Sequence, residues 1–371
     1  MERKLRVLHY VPGFDQGGIE SRLLDWYRNI DRNKIQFDLI KLTPDRNNDL
    51  IEEFKLLGGN VYTLPKFSPK NFLSFRKELR YMFKSNDSYD VVHCHSPATG
   101  YFFLKEAKKN NVPVRILHSR TTQFNSESTF IFVRHQLKKL ANNYATSYFS
   151  CSNEAAVWQF GEEALLNQNV TIINNGIESY KFKFNYNTRI KILSELELDN
   201  CFVVGHVGRF ATAKNHLFLI DVFNEITKKQ KNARLVLIGS GLTKKEIEEK
   251  VNKLNLSDKV IFLGEKNNVE DYFQAMDVFL FPSHYEGFGT VAIEAQAAGL
   301  KCIVSEGVPN TVDVTDLIEH LPLEAGPMFW ANKVLEYSRP YERRDTYEEI
   351  VNAGFDAITT VKYLSEFYNK N

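Results

Sequence analysis

Glu286 and Glu294 bracket the segment of this chain richest in chemistry: Phe281-Pro-Ser-His-Tyr-Glu286-Gly-Phe-Gly-Thr290-Val-Ala-Ile-Glu294-Ala-Gln-Ala-Ala-Gly299. It reads as the end of a buried strand, Asp277–Phe281, then a glycine-punctuated loop, then a helix of good formers stopped by Gly299. Gly287 and Gly289 let the backbone approach a ligand closely. The helix opening at Thr290 turns unpaired N–H groups and a partial positive charge toward the same spot, which makes it a place for an anion. Upstream, Gly205-His-Val-Gly208-Arg209-Phe-Ala-Thr-Ala-Lys214-Asn215 leaves one strand and enters the next helix, so Arg209 and Lys214 flank the same mouth. Two cations and a helix N-terminus together suit a diphosphate.

The elements that must hold these groups alternate along the whole chain. Arg6–Val11, Phe37–Leu42, Val61–Leu64, Asp90–His95, Val114–His118, Tyr148–Cys151 and Thr171–Asn174 read as strands, with helices between most of them. After a polar stretch at Glu178–Asn187 the alternation resumes: strands at Cys201–Gly208, Leu235–Ile238, Val260–Leu263, Asp277–Phe281 and Lys301–Ser305, with helices at Asn215–Lys228, Lys244–Leu254, Val269–Ala275 and Thr290–Ala298. Near-continuous Val/Ile/Leu runs joined by helical crossovers predict parallel sheets covered on both faces. The expected fold is therefore α/β, with two tandem Rossmann-like doubly wound domains facing a central cleft. Their expected limits are residues 1–180 and 181–345, with a helical tail over 346–371 packing back on the body.

Composition narrows the function classes. A chain of 371 residues exceeds one ordinary core. Its net charge of +1 argues against a nucleic-acid partner, and apolar and charged fractions of 43% and 25% are those of a soluble protein. No apolar run approaches the roughly 20 residues of a membrane helix, and Met1–Arg6 leads straight into a strand, so a cytoplasmic location is expected. Cys94, Cys151, Cys201 and Cys302 lie far apart in or beside strands and read as free thiols. His93-Cys94-His95 has the look of a metal site, but in a strand the two histidines share one face and the cysteine takes the other.

The pattern Glu286-x(7)-Glu294, preceded by Gly208-Arg209…Lys214-Asn215 and Leu237-Ile-Gly239-Ser-Gly241, with Gly17-Gly18 after the first strand, resembles the retaining glycosyltransferases of GT-B fold, family 4. The resemblance covers essentially the whole chain. Gly17-Gly18-Ile-Glu20, Val92-His93-Cys-His95-Ser, Arg115-Ile-Leu-His118-Ser and Val312-Asp-Val-Thr-Asp-Leu are most similar to the branch found in bacterial exopolysaccharide and capsule synthesis. It implies transfer of a sugar from a nucleotide-diphosphate sugar, commonly a UDP-sugar, to a polyprenyl-diphosphate-linked or other saccharide acceptor. It further implies retention of configuration and no cofactor or metal. Asp-x-Asp, a metal-binding motif of other transferases, does not occur in the chain.

Residue by residue, the resemblance implies that Arg209 and Lys214 hold the donor diphosphate and neutralise the departing nucleotide. Glu294 would accept from the ribose hydroxyls, and Glu286 would lie near the transferred sugar. Backbone amides around Phe288, Gly289 and Thr290 would grip sugar or phosphate, while Gly17 and Gly18 would approach the diphosphate from the first domain. His118 would touch the donor sugar, Gly239 belongs to the donor-binding motif, and Asn267 would frame the base.

Plainer readings compete. His118 could be a satisfied strand-end histidine, Glu286 a helix-start acid and Glu294 a solvated helix residue, although its alanine-rich surroundings suggest a packed helix where a charge needs a partner. Paired carboxylates also occur in glycoside hydrolases, about 5–10 Å apart, but a hydrolase does not need Arg209 and Lys214. A nucleotide-sugar epimerase or hydrolase on the same scaffold, or a non-catalytic binding subunit, are the alternatives to a transferase. Lys66, Lys70, Arg76, Lys77, Arg80 and Lys84 surround the apolar stripe Phe72, Phe75, Leu79 and Phe83. The stripe reads as the core face of a helix, and the basic rim is available to an anionic membrane.

Overall fold

The computed structural model describes residues 3–12, 18–42, 49–65, 67–85, 88–121, 124 and 130–370. The chain divides into two compact units, Met1–Gly176 with Ala357–Asn371, and Ile177–Asp356.

The first unit is built on a seven-stranded parallel sheet: β1 Leu5–Tyr10, β2 Ile35–Lys41, β3 Asn60–Thr63, β4 Val91–Cys94, β5 Val114–Ser119, β6 Ser147–Ser150 and β7 Val170–Ile172, in spatial order β3-β2-β1-β4-β5-β6-β7. Alternate residues feed two cores. Val7, Phe37, Leu39, Val91 and Ile116 pack on one face with Trp26, Tyr27 and Phe54. Leu8, Ile40, Val92, Cys94 and Leu117 pack on the other with Phe75, Leu79 and Phe103. Both faces are therefore dry, and the strands lack the polar alternation of a one-sided sheet.

The second unit repeats the scheme with β8 Phe202–Val207, β9 Ala233–Ile238, β10 Val260–Gly264, β11 Val278–Phe281, β12 Lys301–Ser305 and β13 Ile318–Leu321, in order β10-β9-β8-β11-β12-β13. Chain order reverses between β1 and β4 in one sheet and between β8 and β11 in the other. Such switch points open a crevice at the carboxyl ends of the strands.

The segment expected as one helical tail is two helices. Tyr347–Asn352 stays with the second unit, and Ala357–Lys370 packs on the first. Gly354, with φ 78°, ends the first of them in the left-handed conformation that glycine adopts without strain. The second buries Ala357, Val361, Leu364 and Tyr368, each large apolar side chain contributing about 1.5–3 kcal/mol. The sequence pattern gave no expectation of β13 or of the helices Tyr186–Glu195 and Gly326–Leu335.

All four cysteines are free, three of them buried. In the basic stretch, helix Phe72–Ser85 buries Phe75, Leu79, Met82 and Phe83, so the apolar stripe is core. Lys70, Lys77, Arg80 and Lys84 remain exposed. Among the described residues, no helix is long and apolar enough to cross a membrane.

Candidate functional site

In the second unit two of the candidate groups, Lys214 and Glu286, meet at the switch point between β8 and β11. Beyond β8, Gly208 N–H donates to Ile238 (2.9 Å) and Phe210 N–H to Ser240 (2.7 Å), which lays the loop after β8 along the loop after β9. Two glycines permit this approach. A Cβ on Gly239 (φ 134°) would sit 2.1 Å from the Gly208 carbonyl oxygen, and one on Gly241 (φ 154°) would sit 2.2 Å from that of Phe210. Gly239 thus has a packing reason for being glycine, independent of any ligand.

The chain then makes a 3-10 turn, Thr212–Lys214, and enters the helix His216–Lys229 through Asn215 at φ 54°, a left-handed position that asparagine tolerates. Ala213 accepts from His284 N–H at 2.8 Å, tying this turn to the loop after β11. Glu286 N–H donates to Gly307 at 2.9 Å. The result is an ion pair: Lys214 Nζ lies 2.6 Å from Glu286 Oε1, with side-chain exposures of 20% and 10%. The same ammonium sits 4.8 Å from the centre of the Phe281 ring.

Gly289 (φ 83°) opens the helix Thr290–Ala297 in the left-handed conformation. Phe288 turns its ring into the core against Phe355, at 5.7 Å between centroids, so only its backbone is available to a ligand. Glu294 is half-buried between buried Ile293 and Ala295. Arg209 and Asn267 are exposed, the first beyond β8 and the second beyond β10. Gly17 lies outside the described residues, and Gly18 begins the helix Gly18–Asn29 of the first unit.

Two histidines lie beneath Lys214. His206 Nδ1 is 2.8 Å from the Leu280 carbonyl oxygen, and His216 packs edge-on against His206 at 4.7 Å. Burial, reinforced by the Lys214 charge, pushes His206 well down and His216 down to about 4. Both are neutral at pH 7, so Lys214 is not repelled by them.

His118 belongs to the first unit, at the end of β5, and is not alone. Register pairs His9 with His93 across β1 and β4 and His93 with Ile116 across β4 and β5, so the odd-numbered residues of β1 and β4 share one face with the even-numbered residues of β5. His9, His93, His95 and His118 therefore form one buried array, with Cys94 on the opposite face as the alternation requires. His93 Nε2 lies 2.9 Å from His118 Nδ1, His93 Nδ1 lies 2.8 Å from the Tyr368 hydroxyl, and His9 Nδ1 lies 3.1 Å from His95 Nε2. His118 Nε2 is buried without a partner among the described residues. The plain reading of His118 as a satisfied histidine is thus only half met.

Desolvation, with the positive charge of Arg120 adding to it, lowers all four imidazoles, His9 to about 3. Arg120 itself is pushed down to about 10 by burial and stays charged at pH 7. It reaches Asn175, stands over Trp26 at 4.8 Å and donates from Nε to His95 Nδ1 at 3.4 Å.

Nitrogens of His9, His93 and His95 come within 4.8 Å of one another, close enough to consider a metal ion. The guanidinium disfavours one, because it occupies a His95 lone pair and places a fixed positive charge beside the set. Sequence reasoning singled out neither His9, Arg120 nor Tyr368. Strand parity could have found His9, whereas Tyr368 is 275 residues from its partner and follows no local pattern.

The comparisons with known proteins agree with this architecture. Residues 16–179 match the model of Glycosyltransferase Family 4, and residues 189–317 match Glycosyl transferases group 1. The putative glycosyltransferase EpsF of Bacillus subtilis (strain 168) is 32% identical over 98% of this chain and 96% of its own. The chain belongs to the group 1/family 4 glycosyltransferases. The capsular polysaccharide biosynthesis glycosyltransferase CapH of Staphylococcus aureus is 27% identical over 98% of both chains. An Escherichia coli relative named UDP-Gal:alpha-D-GlcNAc-diphosphoundecaprenol alpha-1,3-galactosyltransferase is 28% identical over 64% of this chain and 61% of its own. Among solved structures, Anabaena Alr3699/HepE in complex with UDP and glucose superposes with a TM-score of 0.77 at 18% identity, covering 99% of this chain and 100% of that one. Such structures share two Rossmann-like parallel sheets with this glycosyltransferase, which has the GT-B fold.

Proposed function

We propose that this glycosyltransferase moves a sugar from a UDP-sugar to a saccharide carried on a polyprenyl diphosphate, with retention of configuration and without a metal ion, in the synthesis of an exopolysaccharide or capsule. The observation that carries the reading is the Lys214–Glu286 pair at the β8/β11 switch point, beside the opening of helix Thr290–Ala297. An ammonium has three donors. One is committed to Glu286, and the others are held ready for a diphosphate.

In this reading Lys214, Arg209 and the helix N-terminus take up the charge that grows on the leaving nucleotide, which a preorganised site does without reorganising solvent. Glu286, already fixed by Lys214, holds a hydroxyl of the transferred sugar, while Glu294 holds the ribose and Asn267 borders the base. The C1–O bond to phosphate breaks while the acceptor oxygen bonds C1 on the same face. The acceptor proton passes to a departing phosphate oxygen. No cofactor is consumed.

The names of the relatives support the choice of acceptor and donor: a capsular polysaccharide, a diphosphoundecaprenol-linked sugar and UDP. Peripheral contact of the first unit with an anionic membrane fits two exposed features. One is the basic rim Lys77, Arg80 and Lys84, and the other is the apolar run Phe130–Val133 at the start of helix Ile131–Asn142.

The test is nucleotide release from a panel of nucleotide sugars, with and without a lipid-linked disaccharide, with chelator and with magnesium. Transfer predicts release that depends on acceptor and is indifferent to chelator, and a product whose anomeric configuration matches the donor. Release indifferent to acceptor would favour the hydrolase.

A further inference from the structure

We propose that Tyr368, on the last helix of the chain, is a positioning residue: acting through His93, it fixes His118 as the tautomer that carries its proton on Nε2. The inference rests on the reading of His118 as a sugar-contacting group only for its functional consequence. The tautomer itself is tested independently of it.

Three groups form a line: the Tyr368 hydroxyl to His93 Nδ1 at 2.8 Å, then His93 Nε2 to His118 Nδ1 at 2.9 Å. Each neutral imidazole has one N–H and one lone pair, so the line can be protonated in two ways. In the first, Tyr368 donates to His93 Nδ1, His93 Nε2–H donates to His118 Nδ1, and His118 keeps its proton on Nε2. In the second, every bond is reversed: His118 Nδ1–H donates to His93, and His93 Nδ1–H donates to the tyrosine oxygen.

The reversed line strands the phenol proton. Tyr368 is 1% exposed, and its hydroxyl has no second hydrogen-bond partner among the described residues. A buried donor left unmade is costly, and burial raises the phenol so that the proton stays on oxygen. Each pattern leaves one proton unmade, the phenol's inside the core in the reversed line and that on His118 Nε2 in the first, and only the latter lies at the carboxyl end of β5, where a ligand can accept it. That nitrogen has no partner among the described residues and is 0% exposed with the rest of its ring. The array therefore presents a hydrogen-bond donor, complementary to a hydroxyl oxygen, and not an acceptor.

The neighbouring pair follows the same logic with a donor that cannot reverse. Arg120 Nε can only donate, so His95 Nδ1 is a lone pair, His95 Nε2–H donates to His9 Nδ1, and His9 carries its proton on Nε2. A phenol fixes the tautomer of one pair and a guanidinium that of the other.

The test has two arms on the full-length protein. Long-range 1H–15N correlation spectra at pH 7.5, with His118 assigned by comparison with His118→Gln, read the tautomer directly and need no substrate. The expected spectrum shows a neutral His118 protonated on Nε2. A His118 protonated on Nδ1 would overturn the proposal whatever the enzyme transfers.

The second arm is Tyr368→Phe, which keeps the ring and removes the donor. The expected result is a His118 signal redistributed between tautomers, an unchanged pH dependence of the fold, and turnover lowered roughly tenfold, about the worth of one lost hydrogen bond, with donor KM little changed. His118→Gln, whose amide N–H replaces the imidazole donor, should no longer respond to Tyr368→Phe. An unchanged His118 tautomer in Tyr368→Phe would overturn the relay, and unchanged turnover with a redistributed tautomer would overturn its functional part. If no donor is turned over at all, it is the reading of the protein as a transferase that fails, and the first arm still decides the tautomer.

Discussion

Replacing Lys214 by methionine removes the ammonium from a carboxylate that retains only a tenth of its exposure, at a contact of 2.6 Å. Breaking a fully buried pair from one side costs about 3–5 kcal/mol because the remaining charge is stranded. Glu286 keeps some access to water, so Lys214→Met is expected to cost about 2–3 kcal/mol. Glu286→Gln should cost less, about 1–2 kcal/mol, because the long lysine stem can carry its charge toward solvent. The double variant should cost less than the sum, giving a coupling of about 1–2 kcal/mol in a double-mutant cycle. At roughly 2–4 °C per kcal/mol for a domain of roughly 150–250 residues, calorimetry resolves these differences.

The same variants read out the ligand. If the ammonium also holds a diphosphate, Lys214→Met should raise the Kd for UDP about 10–100-fold, the worth of one charge-assisted hydrogen bond of about 1.5–3 kcal/mol. Glu286→Gln should leave UDP affinity within a few-fold while lowering turnover. Additive single substitutions would refute the structural part of this reasoning. Unchanged UDP affinity in Lys214→Met would refute the functional part.

Further outcomes are expected. His9, His93, His95, His118, His206 and His216 are all held neutral by burial, so the unfolded chain binds more protons below its ordinary value of about 6.5; stability should fall as pH drops from there, each histidine contributing about 1.4 kcal/mol of loss by pH 5.5. Thermal midpoints between pH 7.5 and 5 check this, and a flat profile contradicts it. Gly239→Ala, with its Cβ against the Gly208 carbonyl, should destabilise by about 2–4 kcal/mol. Gly287→Ala meets nothing within 4 Å and should unfold within ~0.5 kcal/mol of the parent while losing activity, so denaturation and transfer assays together separate packing glycines from ligand-facing ones. Exposed Arg209→Ala should melt like the parent and turn over at least ~10-fold more slowly if its charge stabilises the leaving group. Phe132→Ser combined with Lys77→Glu and Lys84→Glu should abolish flotation with anionic vesicles at low salt; retained flotation would remove this surface from the membrane reading.

The doubly wound sheets were legible because parallel strands buried on both faces leave long runs of β-branched and apolar residues. The Lys214–Glu286 corner was legible as a set of residue types, but not as a contact. The sequence reading gave Lys214 to phosphate and Glu286 to sugar, whereas in the structure each is first the partner of the other. That pairing depends on Ala213 accepting from His284 and on Glu286 N–H donating to Gly307, loop contacts with no periodicity to betray them. Gly239 was read as a ligand glycine because its spacing resembles a donor motif, yet close backbone packing already requires it. The tail was expected as one helix because its apolar positions persist through Phe355, and Gly354 divides it. His118 was found by resemblance, while its line to Tyr368 required the fold.

The central claim is tested most directly by incubating the enzyme with UDP-sugars and a polyprenyl-diphosphate-linked acceptor and following both UDP and the elongated lipid by mass spectrometry. The account predicts stoichiometric UDP and elongated lipid from the parent, and neither above background from Lys214→Met at a concentration where that variant is folded. Elongated lipid formed equally well by Lys214→Met, or UDP released without any lipid product, would contradict it.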